Sequence, residues 1–223
     1  MCGKFTRLYS WQQVFEYSNF LRPAEDPIET TSPMRFAPMI HLDASGKRTT
    51  SPMRWGFADR RAKSPVERPK HMHARGETID TLPTFSEAFA GARGIVVVNT
   101  FNEGEELPSG KTKQWTITPR DGKPIGIAVI YERWEHADGN EILTFVMATT
   151  PANKLISAIT DRMPAILPPE HWATWLGETN APLSEVKALL QTFEGDWDMR
   201  EQEKKPAPPK RPPKNPGDQP PLI

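Results

Sequence analysis

The stretch QWTITPRDGKPIGIAVIYERWEHADGNEILTFVMAT, residues 114–149, contains three runs rich in β-branched and aromatic side chains. The runs are 114–118, 125–131 and 142–149. Asp121-Gly122 and Asp138-Gly139 lie between them, and Asp-Gly pairs are typical of tight turns. Because consecutive strands joined by short turns usually pair with each other, we predict an antiparallel meander over this stretch.

The residues on either side predict further strands and several short helices. Two strands are expected at 50–57 and 94–98, from the same kind of composition. Helices are expected where capping residues precede apolar positions. Helix starts are expected at the capping boxes 10–13 and 84–87 and at Thr150-Pro151. Two further helices are expected at 169–176, ending at Gly177, and at 183–193, with Ser184 as cap. The chain is therefore predicted to be α+β, with a mostly antiparallel sheet or partly closed barrel surrounded by short helices.

The charge of the chain is balanced overall but unevenly distributed. The 223 residues carry 28 Lys and Arg against 28 Asp and Glu, which argues against binding polyanions through bulk positive charge. Residues 204–223 hold eight of the 24 prolines and five basic residues against one acid, so the body is net acidic. We predict one domain over 1–200 and an extended, solvated tail over 201–223. A non-specific arm for nucleic acid is the alternative interpretation of the tail.

Composition also indicates the cellular compartment. No run of about 18 apolar residues is present, and the N-terminus lacks the apolar segment of a signal peptide. The single cysteine, Cys2, excludes an internal disulfide and a cysteine-rich zinc site. These features predict a cytoplasmic protein that makes no membrane contact.

Cys2 is the most informative residue, because it becomes residue one of the chain if Met1 is removed. It would then carry a free α-amine, with a reference pKa of about 8, beside a thiol of about 8.5. Such a 1,2-aminothiol condenses with an aldehyde to an imine, and the sulfur then closes a thiazolidine ring. Alternatively, it acts as an N-terminal nucleophile in amide hydrolysis, with its own amine as base. Gly3 beside it permits an unusual backbone path.

A series of segments resembles, in the same order, the motifs of the SOS-response-associated peptidase (SRAP) family. The most specific are the N-terminal Met-Cys-Gly-Lys-Phe and the block Thr-Asp-Arg-Met-Pro-Ala-Ile-Leu, which is similar to the family's Ile-His-Asp-Arg-Met-Pro-x-Ile-Leu. The segments are 1–5, 34–38, 53–57, 73–78, 83–89, 93–103, 148–153 and 160–167. The resemblance covers residues 2–176.

The resemblance implies a protein that binds single-stranded DNA and captures abasic sites. In this family the ring-opened abasic deoxyribose presents an aldehyde, and the N-terminal cysteine binds it as a thiazolidine. The crosslink shields the lesion from strand cleavage during the DNA damage response. Members also remove their own initial methionine, which implies an autopeptidase. No metal or other cofactor is implied, and we expect a monomer that joins the nucleoid when it binds DNA.

Four positions correspond to the family's catalytic site. The resemblance makes Cys2 the nucleophile and Glu103 the acid/base carboxylate. The family's site asparagine is His73 here, and its histidine before Asp-Arg-Met-Pro is Thr160. We hypothesise that His73 supplies the imidazole that Thr160 lacks, because histidine titrates near neutral pH and threonine does not. The alternative is a decayed site with slow capture or no reversal.

The resemblance also indicates a DNA-binding surface. Lys4, Arg75 and Arg162 lie at positions that contact phosphates in the family, and Arg54, Arg60 and Arg61 are additional candidates. The other candidates are Pro38 and Met39, where the family places a wedge beside the lesion, with Trp55 and Thr149 nearby.

Three other classes of function are compatible with the sequence. The first is an N-terminal-nucleophile peptidase acting in trans, which also requires an oxyanion hole. The second is a metal site formed by His41, His71 and His73, for which no further ligand at helical spacing is present. The third is a degenerate SRAP-fold module that binds DNA without efficient crosslinking.

Overall fold

The structure, a computed structural model, describes residues 2–7, 29–58, 71–135, 139 and 141–202. Its strands are β1 Lys4–Arg7, β2 Glu29–Thr31, β3 Phe36–Leu42, β4 Arg48–Trp55, β5 His73–Arg75, β6 Arg93–Val98, β7 Thr100–Glu106, β8 Thr112–Pro119, β9 Ile125–Glu135, β10 Glu141–Pro151, β11 Arg162–Pro164, β12 Ile166–Leu167 and β13 Trp197–Glu201. The helices are α1 Ser86–Gly91, α2 Trp172–Leu176 and α3 Leu183–Ala188, with 3-10 turns at Ile156–Ala158 and Pro169–His171.

Five strands close into a barrel in the order β10-β4-β3-β6-β9, because β9 pairs with β10 as well as with β6. All of these pairs are antiparallel except β10 with β4. The short strands β5 and β11 add to β10, and β12 adds to β9. The α+β class and the barrel predicted from the sequence are confirmed.

Alternate residues of the barrel strands fill two separate cores, as the two-residue period of a strand requires. Along β9, Ile127 and Val129 face the barrel interior, while Ala128 and Ile130 face the helices. The helices pack tightly on the outer face. A Cβ at Gly126 would lie 2.7 Å from the ring of Trp172, so glycine is required for this close approach.

A second sheet, in the order β13-β8-β7-β1-β2, extends the interior core at one end of the barrel. Phe5, Phe101, Ile117 and Trp197 contribute to that core from four of its strands. The rings of Phe101 and Trp197 meet edge to face with centroids 5.6 Å apart. This sheet positions the N-terminus, because β1 lies between β2 and β7.

The meander predicted for 114–149 is only partly correct. β9 and β10 pair as predicted, from Val129 with Met147 to Glu135 with Glu141. β8, however, pairs with β7 and β13 in the second sheet and does not pair with β9. The pairing of β8 with β7 was not predicted, because β7 ends in Asn-Glu-Gly-Glu-Glu, a polar run that does not resemble a strand.

Two helix starts differ from the prediction. α1 follows Phe85 as N-cap without a side-chain cap, so 84–87 does not form a capping box. Thr150 and Pro151 belong to β10 rather than to a helix start. The helix predicted after them is a single 3-10 turn, and the Asn153 Oδ1 before it accepts a hydrogen bond from the Ile156 N–H at 2.9 Å.

The C-terminal helices agree better with the sequence. The segment 169–176 forms a 3-10 turn followed by α2, and Gly177 ends it in the left-handed region with φ 97°. α3 ends at Ala188 rather than at 193, and Pro182 rather than Ser184 is its N-cap.

The predicted domain boundary at 200 falls inside a strand. β13 runs to Glu201, and Gln202 Oε1 accepts a hydrogen bond from the Lys4 ammonium at 2.9 Å. The helix expected after 10–13, the Asp138 turn, Arg60, Arg61 and the Lys/Pro-rich segment after 202 lie outside the described residues.

Candidate active site

Cys2 lies immediately before β1 and is held there by the neighbouring strand β7. The Gly3 N–H donates to the Asn102 carbonyl at 3.1 Å, which continues the β1–β7 ladder up to the cysteine. Cys2 itself is 1% exposed and belongs to the barrel's interior core. Its thiol donates to the Lys4 carbonyl at 3.4 Å.

The thiol is in a setting that favours its neutral form. Burial raises the pKa of Cys2 strongly, and the nearby negative charge of Glu103 raises it further. The resting group is therefore S–H, and a base must accept its proton before the sulfur can act as a nucleophile.

Glu103 is the carboxylate beside this cysteine. It lies in β7 next to Asn102, which pairs with Lys4, and its side chain has no exposed surface. In the chain that still carries Met1, burial raises the pKa of Glu103 to about 7, against the lowering effect of the charged amino terminus. A carboxyl group that is half ionised near neutral pH can both donate and accept a proton, which is what general acid–base catalysis requires.

His73 contacts the backbone of the same cysteine. β5 places it alongside β10, opposite Met147, and its Nε2 lies 2.9 Å from the Cys2 carbonyl oxygen. Its ring meets the Trp55 ring edge to face, with centroids 5.8 Å apart. Burial lowers the pKa of His73 to about 4, so the imidazole is neutral and its Nε2–H donates to the carbonyl. Sequence and structure agree that His73 is near Cys2, and its observed contact is a neutral hydrogen bond.

Thr160 lies on the loop between the 3-10 turn Ile156–Ala158 and β11, where its N–H donates to the Ile156 carbonyl at 3.1 Å. The next residue, Asp161, is close enough for its charge to raise the pKa of Glu103. The loop therefore borders the site. Asp161 was not identified from the sequence, because an exposed aspartate within a motif carries no signal that it faces a buried carboxyl group.

The predicted DNA-contacting residues divide into buried and exposed groups. Met39 and Trp55 have no exposed surface, Thr149 is 2% exposed and Arg54 is 4% exposed. These four side chains therefore belong to the protein interior, where burial lowers the pKa of Arg54. Lys4 and Pro38 are half-buried and Arg75 is exposed, so these three are accessible to a ligand.

Arg162 has internal partners. Its guanidinium binds both carboxylate oxygens of Glu77, and its Nη2 also donates to the Thr149 carbonyl at 2.7 Å. This bidentate pair ties β11 to the turn after β5 and lowers the pKa of Glu77. The structure thus assigns Arg162 a contact within the fold, although the sequence pattern indicated a phosphate.

Other potential sites are limited in the part of the chain that the structure describes. His41 bonds the Leu42 carbonyl and the Ser51 hydroxyl, and His71 packs against Phe85, so neither joins His73. Within those ranges, no three His, Cys, Asp or Glu side chains cluster as a metal site would need. No helix there is long and apolar enough to cross a membrane.

A barrel that buries an N-terminal cysteine beside a titrating carboxyl group and an imidazole defines the class of protein. The family model for SOS response associated peptidase (SRAP) matches residues 1–205. The chain belongs to the SRAP family.

Named relatives agree with this membership, and a solved structure shows the same fold. The abasic site processing protein YoqW of Bacillus subtilis (strain 168) is 30% identical over 200 residues, which are 88% of this chain and 89% of that protein. YobE of the same organism, also named an abasic site processing protein, is 29% identical, covering 88% of this chain and 91% of that protein. A crystal structure from Bordetella bronchiseptica superimposes with a TM-score of 0.76 at 24% identity, covering 91% of this chain and 100% of that chain, and shows the same fold.

Proposed function

We propose that this protein, once Met1 is removed, captures abasic sites in single-stranded DNA through Cys2 and so protects the lesion during the DNA damage response. The observation that carries the proposal is the grouping of Cys2, Glu103 and His73 at the N-terminus of a SRAP-fold barrel. The names of the relatives, abasic site processing proteins, support the same substrate.

The capture reaction is a condensation that releases one water. The Cys2 α-amine adds to the aldehyde carbon of the open sugar, and the Glu103 carboxyl group donates a proton to the departing hydroxyl. An iminium ion and a Glu103 carboxylate result. The carboxylate then accepts the thiol proton while Sγ bonds to the iminium carbon, which closes the thiazolidine and restores the acid.

The site's electrostatics suit this sequence of steps. Because its pKa is about 7, the Glu103 carboxyl group can act first as the acid for dehydration and then as the base for the thiol. The raised pKa of Cys2 keeps the thiol protonated until the carboxylate forms beside it. The neutral His73 holds the Cys2 carbonyl and thereby orients the amine and thiol of the same residue. On this proposal His73 is a positioning residue rather than a titrating catalyst.

An exposed arginine and a half-buried lysine near the site suit a strand of DNA. Arg75 follows His73 by two residues in β5, and Lys4 follows Cys2 by two residues in β1. Both side chains are accessible, so we propose that they contact phosphates on either side of the lesion. Single-stranded DNA then reaches Cys2 between β1 and β5.

A denaturing gel tests the proposal directly. Full-length protein incubated with single-stranded DNA containing one abasic site is expected to give a shifted band that survives heating in denaturant. The same DNA without the abasic site is expected to give none, and intact mass is expected to show that Met1 is absent. If protein that lacks Met1 leaves the abasic DNA unshifted, the capture reaction is contradicted. The protein would then be a DNA-binding module of this fold.

The positioning role of His73 predicts a graded effect of substitution. His73→Ala removes a hydrogen bond to the Cys2 carbonyl and is expected to slow capture about fivefold, since such a bond contributes about 1 kcal/mol. His73→Asn keeps a donor and is expected to recover most of the rate. Single-turnover gels measure both variants, and a His73→Ala protein as fast as the unmodified one would contradict the role.

A further inference from the structure

The turn before β3 has a strained backbone. Met34 has a φ of 71°, the one non-glycine residue with positive φ among those the structure describes. L-residues rarely adopt this conformation, and when they do the surrounding structure must impose it. Here the Met34 N–H donates to the Trp55 carbonyl, the Trp55 N–H donates to the Arg35 carbonyl, and the Arg35 N–H donates to the Ser32 carbonyl.

This turn presents an arginine and an aromatic ring to solvent. Arg35 is exposed, and Phe36 is 49% exposed, the only aromatic among the large hydrophobic side chains that are exposed in the described part of the chain. A half-exposed phenylalanine leaves part of its ring free to stack on a ligand. Phe36 also shares a face of β3 with Pro38, two residues along.

The turn is linked to the site by two residues. Trp55 receives and donates the backbone hydrogen bonds of the turn, and its ring meets His73 at 5.8 Å. His73 in turn binds the Cys2 carbonyl. The backbone of the Arg35–Phe36 turn is therefore connected to Cys2 through Trp55 and His73.

We propose that Arg35 and Phe36 form a subsite for one nucleotide flanking the captured sugar. Phe36 stacks on the base of that nucleotide, and Arg35 contacts its phosphate. The inference rests on the proposed function, because it names a contact to the same DNA. Stacking suits the geometry, since every base offers a π-face and an exposed aromatic ring binds it without reading its identity. The adjacent guanidinium is complementary to the phosphate of the same nucleotide.

The test uses a stable abasic analogue that lacks the aldehyde, so that binding is measured without capture. Four single strands carry the analogue with both flanking bases, without the 5′ base, without the 3′ base, or without either. Fluorescence anisotropy with the full-length protein is expected to show about 5- to 10-fold weaker binding when one particular flanking base is missing. The other flanking base is expected to matter less.

Variants then assign the effect to the turn. Phe36→Ala is expected to bind the fully based strand about 5- to 10-fold more weakly and to lose its sensitivity to the missing base, and Phe36→Trp is expected to restore both. Arg35→Gln is expected to lower the slope of log affinity against log salt by about one while keeping the base sensitivity. Leu155→Ala, which truncates an exposed apolar side chain elsewhere, serves as the matched control and is expected to behave like the unmodified protein.

The outcomes separate the subsite from the function on which it rests. A Phe36→Ala protein that keeps full affinity and the full response to each missing base overturns the subsite, as does equal loss in the Leu155→Ala control. Failure of the unmodified protein to crosslink aldehyde-bearing DNA overturns the capture reaction instead, and the anisotropy series still decides whether Phe36 binds a base.

Discussion

Cys2→Ala protein is expected to form no heat-stable adduct with abasic single-stranded DNA. The variant keeps an N-terminal amine, so it can still condense with the aldehyde to an imine, but it has no sulfur to close the ring. An imine hydrolyses on denaturation, whereas a thiazolidine survives it. The expected loss is therefore complete on a denaturing gel, and borohydride reduction before denaturation is expected to recover a band.

The borohydride comparison is what makes this prediction specific to the aminothiol. Cys2→Ser places a hydroxyl in the same position and is expected to behave like Cys2→Ala, because an oxygen nucleophile closes the corresponding ring far less favourably than sulfur. Anisotropy with the stable abasic analogue controls for folding and DNA binding. The cysteine is small, so the alanine variant is expected to lose roughly 1 kcal/mol of stability. A heat-stable band from Cys2→Ala without reduction would show that another residue forms the crosslink.

Three barrel strands were predictable from the sequence because they are apolar, whereas β3 was not predicted although it too is largely apolar. β6, β9 and β10 are runs of Val, Ile and aromatic residues buried on both faces, and each was located within a few residues of its observed bounds. Strands with polar composition were missed. β1, β7 and β13 contain Lys, Asn, Glu, Asp and Arg. They form strands because their backbone groups make hydrogen bonds within the second sheet.

The site could be predicted only to the level of its residue types. Cys2, Glu103 and His73 were identified from motifs, but their roles depend on burial that the sequence does not reveal. Glu103 lies in a polar run, and only the packing of β7 against β1 and β8 removes it from water. The surface residues were harder still, because an arginine in a motif can bind phosphate or, like Arg162, can bind a carboxylate of the fold.

The Arg35–Phe36 turn illustrates the same limit. The sequence predicted that Pro38 and Met39 contact DNA in this segment. Met39, however, is fully buried, and Phe36 is exposed. Strand alternation places Phe36 and Pro38 on one face and Met39 on the other, so the position of the strand decides which residue meets a ligand. A single sequence does not establish that register when the strand begins in a strained turn.

Glu103→Gln protein is expected to capture abasic DNA at least about 100-fold more slowly, because positioned proton transfer typically contributes 10²- to 10⁴-fold. Glutamine is nearly isosteric and avoids burying a charge, so the fold is expected to persist. Single-turnover gels at a series of pH values measure the rate. Glu103→Asp keeps the carboxyl group on a shorter side chain. Its capture rate is expected to lie between that of the unmodified protein and that of Glu103→Gln.

The pH profile identifies the group as an acid. Burial raises the pKa of Glu103 from 4.5 to about 7, so the carboxyl group is mostly protonated below that pH and mostly carboxylate above it. Because dehydration requires the protonated form, the rate is expected to fall as pH rises through about 7. The N-terminal amine, with a reference pKa of about 8, is increasingly protonated and unreactive as pH falls, so the unmodified protein is expected to show a maximum between these values.

Glu103→Gln is expected to remove the alkaline limb of this profile and to keep the acidic one. The rate of the variant should then rise with pH until the amine is fully deprotonated, which no purely structural defect would produce. Since the His73 pKa is about 4, the imidazole is neutral throughout this range and contributes no limb. An alkaline limb that persists in Glu103→Gln would assign the proton transfer to another group, and Asp161, whose charge acts on Glu103, would be the first residue to test.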